Sequence, residues 1–344
     1  FGGQIDIQQK IIRTVGNPLE RFSEDGLRPV RALRFAAQLG FEIEPETLKA
    51  IPVTNHITKG ISIERFRDEF VKMLKSHKPS VALNLMEKTG ILKIFLPEFA
   101  GCRNVLQKDI RGFHSFDVLD HLIYALDGVV LASKNQGSLE LRLASLFHDI
   151  GKPAAKKVEK RPYIKDGKET MEDFNTFHGH EYPSAKIAKN VLTRLRFPND
   201  TIKYVVHLVE NHMFHYESTW QESAIRRFIA KHNTQILPFP EVLQDLFYLR
   251  QADAYGKDGD EKAFTEGKWI ENLYEFKSRI DKELENQVAF SLKDLAVSGK
   301  DLIEAGFPAG KKMGEVLNGL LEKVLENPEI NKKEILLDLA KGMF

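Results

Sequence analysis

Leu146-Phe147-His148-Asp149-Ile150-Gly151-Lys152 joins a histidine and an aspartate to an apolar run that Gly151 and Pro153 bring to an end. Leu139, Leu143, Leu146, Phe147 and Ile150 recur at helical spacing, so they mark one buried face. The spacing therefore places the His-Asp pair where a helix end meets the interior. Carbonyl dipoles at a helix C-terminus favour a cation, and imidazole with carboxylate suits a divalent metal. One His-Asp dipeptide arises by chance in many proteins. The reading depends on further ligands that a helical fold could bring to the same place.

Such residues follow in order. His121 begins a stripe of Leu122, Ala125, Leu126 and Val129. His180, in Phe177-His178-Gly179-His180-Glu181, opens an amphipathic segment carrying Ile187, Val191, Leu192 and Leu195. His212 shares a face with Val205, Leu208 and Val209. Asp253 continues the stripe Val242, Leu246, Leu249, and a buried carboxylate needs a partner or a metal. Taken singly, a histidine on an apolar face is more often a hydrogen-bonded core residue than a ligand. The ordered set, each member on its own helix, favours ligands.

The set resembles the H…HD…H…H…D pattern of the HD superfamily of metal-dependent phosphohydrolases, over roughly Phe113 to Lys257. The resemblance implies that His121, His148, Asp149 and Asp253 form the core metal site. His180 and His212 would complete a second position or contact phosphate. His148, Asp149 and Lys152 would be the catalytic group, with Lys152 placing a positive charge beside the substrate phosphate. A bound divalent ion polarises a phosphoryl oxygen and lowers the pKa of its water. Mg, Mn, Ni and Co fit this pattern equally. His178, His207 and His215 are rival ligands of second rank, because the pattern does not select them.

Near the N-terminus, Ser23-Glu24-Asp25-Gly26-Leu27-Arg28-Pro29-Val30-Arg31 reads as a helix start. Ser23 can cap it, with Glu24 and Asp25 in the first turn, and Pro29 is tolerated only near that start. Asp25 and Arg28, three apart, point the same way. An aspartate acceptor beside an arginine donor complements the amino-plus-ring-nitrogen edge shown by cytosine and adenine. An ordinary surface ion pair gives the same letters. Context decides: Phe1-Gly2-Gly3, Lys10-Ile11-Ile12-Arg13, Gly16-Asn17-Pro18 and Ile63-Glu64-Arg65 with Glu69 surround this run in order.

Together these motifs resemble the class II tRNA nucleotidyltransferase and poly(A) polymerase family, which includes the bacterial CCA-adding enzymes. The resemblance implies that Asp25 and Arg28 read the incoming base of CTP or ATP. Glu24 would orient the pair, with Arg31 one turn further along. Glu64, Arg65 and Glu69 would brace the template helix, Arg65 pairing with Glu69. Several family members carry an HD domain after the neck, so the two resemblances support each other across nearly the whole chain.

The family's polymerase head lies before the Phe-Gly-Gly element and carries a Gly-Ser turn and a magnesium-binding Asp-x-Asp pair. This chain starts inside a motif; Gly137-Ser138 leads into a helix, and Asp258-Gly259-Asp260 matches only by letters. The sequence is expected to be a fragment that binds and selects nucleotides without transferring them. An independent HD hydrolase acting on RNA termini or nucleotides, with scaffold helices before it, is the alternative.

Net charge +1 and 42% hydrophobic residues point to neither a disordered nor a membrane-spanning chain, and no apolar run approaches the roughly 20 residues of a spanning helix. The lone Cys102 cannot make an internal disulfide, which fits a reducing cytoplasm. Two segments could meet tRNA. Lys152, Lys156, Lys157, Lys160, Arg161, Lys165 and Lys168 form a basic run broken by Gly and Pro, as a mobile loop would be. Lys300, Lys311 and Lys312 flank two short helices around Gly306-Phe307-Pro308-Ala309-Gly310, where exposed N–H groups would suit a phosphate backbone. This segment also looks like the tRNA-gripping tail of the same family.

The expected fold is all-α: a helical neck over 1–109, an HD-type helical body over 110–260 and a helical tail over 261–344. The N-terminus would retain a remnant of the α/β head. Little strand signal is visible elsewhere. Expected partners are tRNA and nucleoside triphosphates, with no membrane; nothing in the sequence sets an oligomeric state.

Overall fold

Helices dominate, as the apolar spacing predicts. The computed structural model describes residues 2–107, 115–165, 168–234, 237–286 and 288–343, without the side chains of Lys165 and Lys168. The boundary expected near residue 110 lies outside the described residues. Two units form: residues 1–213 with 248–265, and residues 214–247 with 266–344.

In the first unit, Asn17 caps the helix Pro18–Glu24 by accepting from Leu19 N. A second helix, Leu27–Leu39, buries Val30, Leu33 and Ala36 and ends at Gly40, whose φ of 65° only glycine adopts readily. It packs on the helix Ile63–Leu74, which buries Phe66, Phe70 and Met73 at helical spacing. A two-residue parallel pair, Ile11–Ile12 with Glu42–Ile43, ties the N-terminal segment to this layer. The helices Val118–Ala132, Leu139–Phe147, Glu181–Arg194, Asn199–Asn211 and the end of Glu241–Tyr255 follow. Asp117 and Ser138 cap the first two by accepting from Asp120 N and Leu141 N.

Three expectations need correction. Ser23 does not start a helix; it lies near the C-terminus of Pro18–Glu24 and donates its hydroxyl to Leu19 O. Asp25 breaks the chain between helices and accepts from Leu27 N at 3.0 Å, so the aspartate does the capping. The basic run after Lys152 is not a mobile loop but an antiparallel hairpin, Lys157–Lys165 with Lys168–Thr176. Pro162 is compatible because each strand of a two-stranded ladder is an edge. The second helix of the tail is long, Lys311–Glu326, because Met313, Val316, Leu320 and Val324 extend its buried stripe.

In the second unit, the helices Glu222–His232 and Lys268–Glu285 pack through rings of Phe228 and Phe276 at 4.8 Å, and Phe214 and Phe247 join them. The tail helices close around Leu302, Val316, Leu320, Val324 and Leu336. Arg226 is buried, donating to Leu325 O at 2.5 Å and Glu326 O at 2.9 Å, with Glu283 3.2 Å away. It satisfies the last carbonyls of Lys311–Glu326 and complements that helix end electrostatically.

Candidate metal centre and nucleotide cleft

The helix Leu139–Phe147 ends at His148, and the helix Asn199–Asn211 ends at His212. His180 stands just before Glu181–Arg194, while His121 and Asp253 lie within Val118–Ala132 and Glu241–Tyr255. Side chains from five helices thus meet in one buried place. His121, His148, Asp149 and Asp253 form one group, and Asp149, His180 and His212 a second, each with ligand atoms within 4.8 Å of one another. Asp149 belongs to both. Its Oδ2 lies 2.9 Å from His121 Nε2 and 3.3 Å from His148 Nε2. Its Oδ1 lies 2.8 Å from His180 Nε2 and 3.5 Å from His212 Nε2. Asp253 Oδ1 is 3.4 Å from His121 Nε2.

Three histidines share one orienting device. Nδ1 of His148, His180 and His212 donates to the carbonyl three residues back, on Ser145, Phe177 and Val209, at 2.7, 2.8 and 2.7 Å. A carbonyl only accepts, so each Nδ1 carries a proton and each Nε2 is turned toward Asp149. Nitrogens so aimed at one carboxylate need a cation between them, either a proton, as on His148, or a metal. Neither Asp149 oxygen accepts a hydrogen bond of normal geometry, although both are buried and Lys152 Nζ is 2.5 Å from Oδ2. This donor set fits divalent metal.

Two glycines make the convergence possible. A Cβ on Gly151 would stand 2.5 Å from Ser184 N and 2.7 Å from His180 O, so only glycine lets Glu181–Arg194 approach the His-Asp turn. Gly151 N also donates to Ser184 Oγ at 2.9 Å. A Cβ on Gly256 would stand 2.9 Å from His121 O, and this close approach carries Asp253 to His121.

Without metal, burial opposes charging His148, yet the carboxylates of Asp149 and Asp253 outweigh it and push the imidazole up to about 10. Burial likewise opposes ionising Asp149, but His148 and Lys152 hold its carboxyl well below the ordinary range. Asp253 is lowered too, by His121 and His148 against the same burial. For His212 burial dominates and the imidazole is lowered.

A cleft of about 480 Å³ opens over Asp149, His180 and Asp253. Among the described residues, the cations Lys152, Arg161, Arg250 and Lys257 line it. Lys152 is buried and donates to Gln107 at 2.6 Å as well as facing Asp149. Arg250 is 3.1 Å from Asp253 Oδ2. Sequence reading passed over Gln107, Met213 and Arg250, although Arg250 stands one helical turn before Asp253. Among the rival histidines, His178 lines the cleft but joins neither ligand group, and His215 is exposed beside Glu217. His207 joins neither group either.

At the N-terminal end, Arg28 reaches Glu24 at 2.6 Å, while Asp25 is held by Arg65 at 2.9 Å. Asp25 therefore does not pair with Arg28. The Leu27 N–H, then Arg65 against a burial penalty, hold the Asp25 carboxyl below its ordinary value. Arg65 does not pair with Glu69, which instead takes Arg34 at 2.6 Å and Lys72 at 3.0 Å. Glu64 pairs with Arg196. The helix Ile63–Leu74 therefore does contact Leu27–Leu39, through Arg34–Glu69, and Asp25 before it, through Arg65. Arg13, Arg21, Arg28 and Arg31 line a cleft of about 230 Å³ with Phe22 and Phe35. Arg21 went unnoticed in the sequence.

Lys300, Lys311 and Lys312 are exposed, with Lys300 3.8 Å from Glu304. Asp258-Gly259-Asp260 is a turn in which Asp258 accepts from Asp260 N and Asp260 from Lys262 N. It belongs to no candidate metal group among the described residues. Among those residues no helix is long and apolar enough to cross a membrane.

Comparisons with known proteins follow this layout. Residues 40–102 match a model described as the probable RNA- and SrmB-binding site of polymerase A, 114–255 the HD domain, and 262–340 tRNA nucleotidyltransferase domain 2. An A-adding tRNA nucleotidyltransferase of Deinococcus radiodurans is 30% identical over 328 residues, 94% of this chain and 69% of that protein. A CC-adding tRNA nucleotidyltransferase of Thermus thermophilus is 27% identical, over 97% of this chain and 70% of that one. The CCA-adding enzyme of Bacillus stearothermophilus, solved with CTP, shares the fold with a TM-score of 0.62 at 21% identity, covering 99% of this chain and 67% of that chain. These figures do not establish the expectation that a head is absent before Phe1. With 30% identity across two thirds of a relative, and matches running through the helices on both sides of the HD region, the chain belongs to the tRNA nucleotidyltransferase family.

Proposed function

We propose that this protein acts at the 3′ end of tRNA, selecting CTP and ATP for addition of CMP and AMP, and that its body is a metal-dependent phosphohydrolase. The observation that carries the first part is the similarity to A-adding and CC-adding tRNA nucleotidyltransferases over 94% and 97% of the chain. In this reading residues 1–109 select the nucleotide, 110–260 hydrolyse phosphoesters and 261–344 hold tRNA. Asp25 and Arg28 read the base edge, Arg65 and Glu24 hold them until it arrives, and Arg31 lines the adjoining cleft. Lys300, Lys311 and Lys312 meet the RNA backbone. Incorporation on tRNA ending before, within or after CCA distinguishes CC-, A- and CCA-addition.

The bridging position of Asp149 carries the second part. His121, His148, Asp149 and Asp253 would hold one divalent ion, and Asp149, His180 and His212 a second. The imidazole–carboxylate set suits Mn, Ni or Co better than Mg, which prefers oxygen ligands. Bound metal supplies Lewis-acid polarisation of a phosphoryl oxygen and an acidified water. The chain orients its imidazoles through backbone carbonyls, fixes Asp149 with Lys152 and offers a cationic cleft to phosphate. His148→Ala should abolish metal-dependent phosphate release from nucleotide or 2′,3′-cyclic phosphate substrates. Activity surviving that change would remove the assignment.

A further inference from the structure

The cleft over the metal centre holds more positive charge than the centre itself engages. Lys152 is bound to Asp149, Arg250 is bound to Asp253, and the charge of Lys257 also bears on Asp253. Each of these cations balances a carboxylate ligand. Arg161 does not: it pairs with Glu159, two residues back on its own strand, and Glu159 is no member of either ligand group.

Strand alternation puts Glu159 and Arg161 on one face of the hairpin, and the register puts Phe174 and Thr176 on the same face of the partner strand. Phe174 is buried and anchors that face, while Arg161 and Thr176 both line the cleft. The side chains of Arg161 and Glu159 are 46% and 38% exposed, so solvent screens their attraction and a phosphodiester anion can displace the carboxylate. An arginine fork also matches phosphate bidentately. Phe177 and Met213 add an aromatic ring and a polarisable thioether to the lining, surfaces on which a nucleobase packs. At about 480 Å³ the cleft is in the range of organic ligand sites, far more than one phosphate needs.

We propose that the hairpin is the specificity wall of this cleft, with Arg161 binding a second phosphate one nucleotide away from the phosphoester at the centre. The site then takes the end of an oligonucleotide in preference to a mononucleotide. This inference rests on the phosphohydrolase reading of the centre.

Calorimetry on the Mn²⁺-loaded chain, with inorganic phosphate, 3′-CMP and the 3′-phosphorylated dinucleotide CpCp as probes, tests it. The protein should bind the dinucleotide about tenfold more tightly than 3′-CMP, the scale of one charge-assisted contact. Arg161→Met should erase that preference while leaving Mn²⁺ affinity unchanged, and Arg161→Lys should restore part of it. Glu159→Gln should widen the preference by freeing Arg161. Equal binding of the two nucleotides by the unaltered protein, or a preference that persists in Arg161→Met, overturns the inference. Failure of the unaltered protein to take up Mn²⁺ overturns the phosphohydrolase reading itself, and this inference with it.

Discussion

Replacing Gly151 by alanine tests how the second metal position is built. The added Cβ would stand 2.5 Å from Ser184 N, 2.7 Å from His180 O and 2.8 Å from Ser184 Oγ. Two of these are backbone atoms at the start of Glu181–Arg194, so no side chain can swing aside. Reaching an ordinary contact of 3.4 Å requires the helix start to retreat by about 0.9 Å. His180, now 2.8 Å from Asp149 Oδ1, moves with it. Metal ligation tolerates deviations of only about 0.2 Å, so the position formed by Asp149, His180 and His212 should fail. His121, His148 and Asp253 belong to other helices and should keep the first position. Overpacking of this kind costs about 1–3 kcal/mol, or roughly 2–12 °C in Tm for a unit of this size. Metal counting on the purified protein should give two ions for the unaltered chain and one for Gly151→Ala. A variant that retains two ions and its melting temperature would refute the close-approach argument.

Gly256→Ala should act on the other position, since its Cβ would stand 2.9 Å from His121 O and 3.0 Å from His121 Nδ1. Mn²⁺ titration should show that site weakened and the His180 site retained. Metal binding should release protons, because the carboxylates hold His148 up to about 10 and a metal must displace its proton at neutral pH. Apparent affinity should fall as pH falls, and binding heats should depend on the buffer's ionisation enthalpy; heats independent of buffer would contradict this. For the metal-free protein the signs differ by group. The raised His148 stabilises fully below its unfolded value near ~6.5, an effect lost as pH rises through about 10. The lowered Asp149 and Asp253 stabilise above about 4, an effect lost as pH falls. Arg226→Met should leave Glu283 buried without its partner and uncap Lys311–Glu326, costing about 3–5 kcal/mol in a melting experiment.

The convergence of His121, His148, Asp149, His180, His212 and Asp253 was legible because these residues lie on strongly periodic helices. Burying Val205, Leu208 and Val209, or Val242, Leu246 and Leu249, leaves His212 and Asp253 nowhere to point but inward. What the sequence hid was the sharing of Asp149 between two ligand groups, because a spacing pattern says which face a side chain takes and not which oxygen meets which nitrogen. The hairpin was missed for a different reason. Lysine-rich composition and Pro162 suggested a loop, and neither nine-residue strand carries the sustained apolar alternation that marks a half-buried strand. Around Asp25 the sequence placed charges at helical spacing, but spacing alone did not choose the partners. A tertiary neighbour forty positions away, Arg65, takes Asp25, and the local i,i+4 pair is Glu24 with Arg28.

Base selection by Asp25 and Arg28 is the central claim, and competition binding of CTP, ATP, UTP and GTP to the protein and its Asp25→Ala variant tests it most directly. CTP and ATP should bind more tightly than UTP and GTP. Asp25→Ala should narrow this gap by about 1–3 kcal/mol, the scale of one bidentate base contact. Equal affinity for all four nucleotides in the unaltered protein would contradict the claim. So would an unchanged gap in Asp25→Ala beside a lowered melting temperature, which would leave Asp25 as a capping residue in an ordinary ion pair with Arg65.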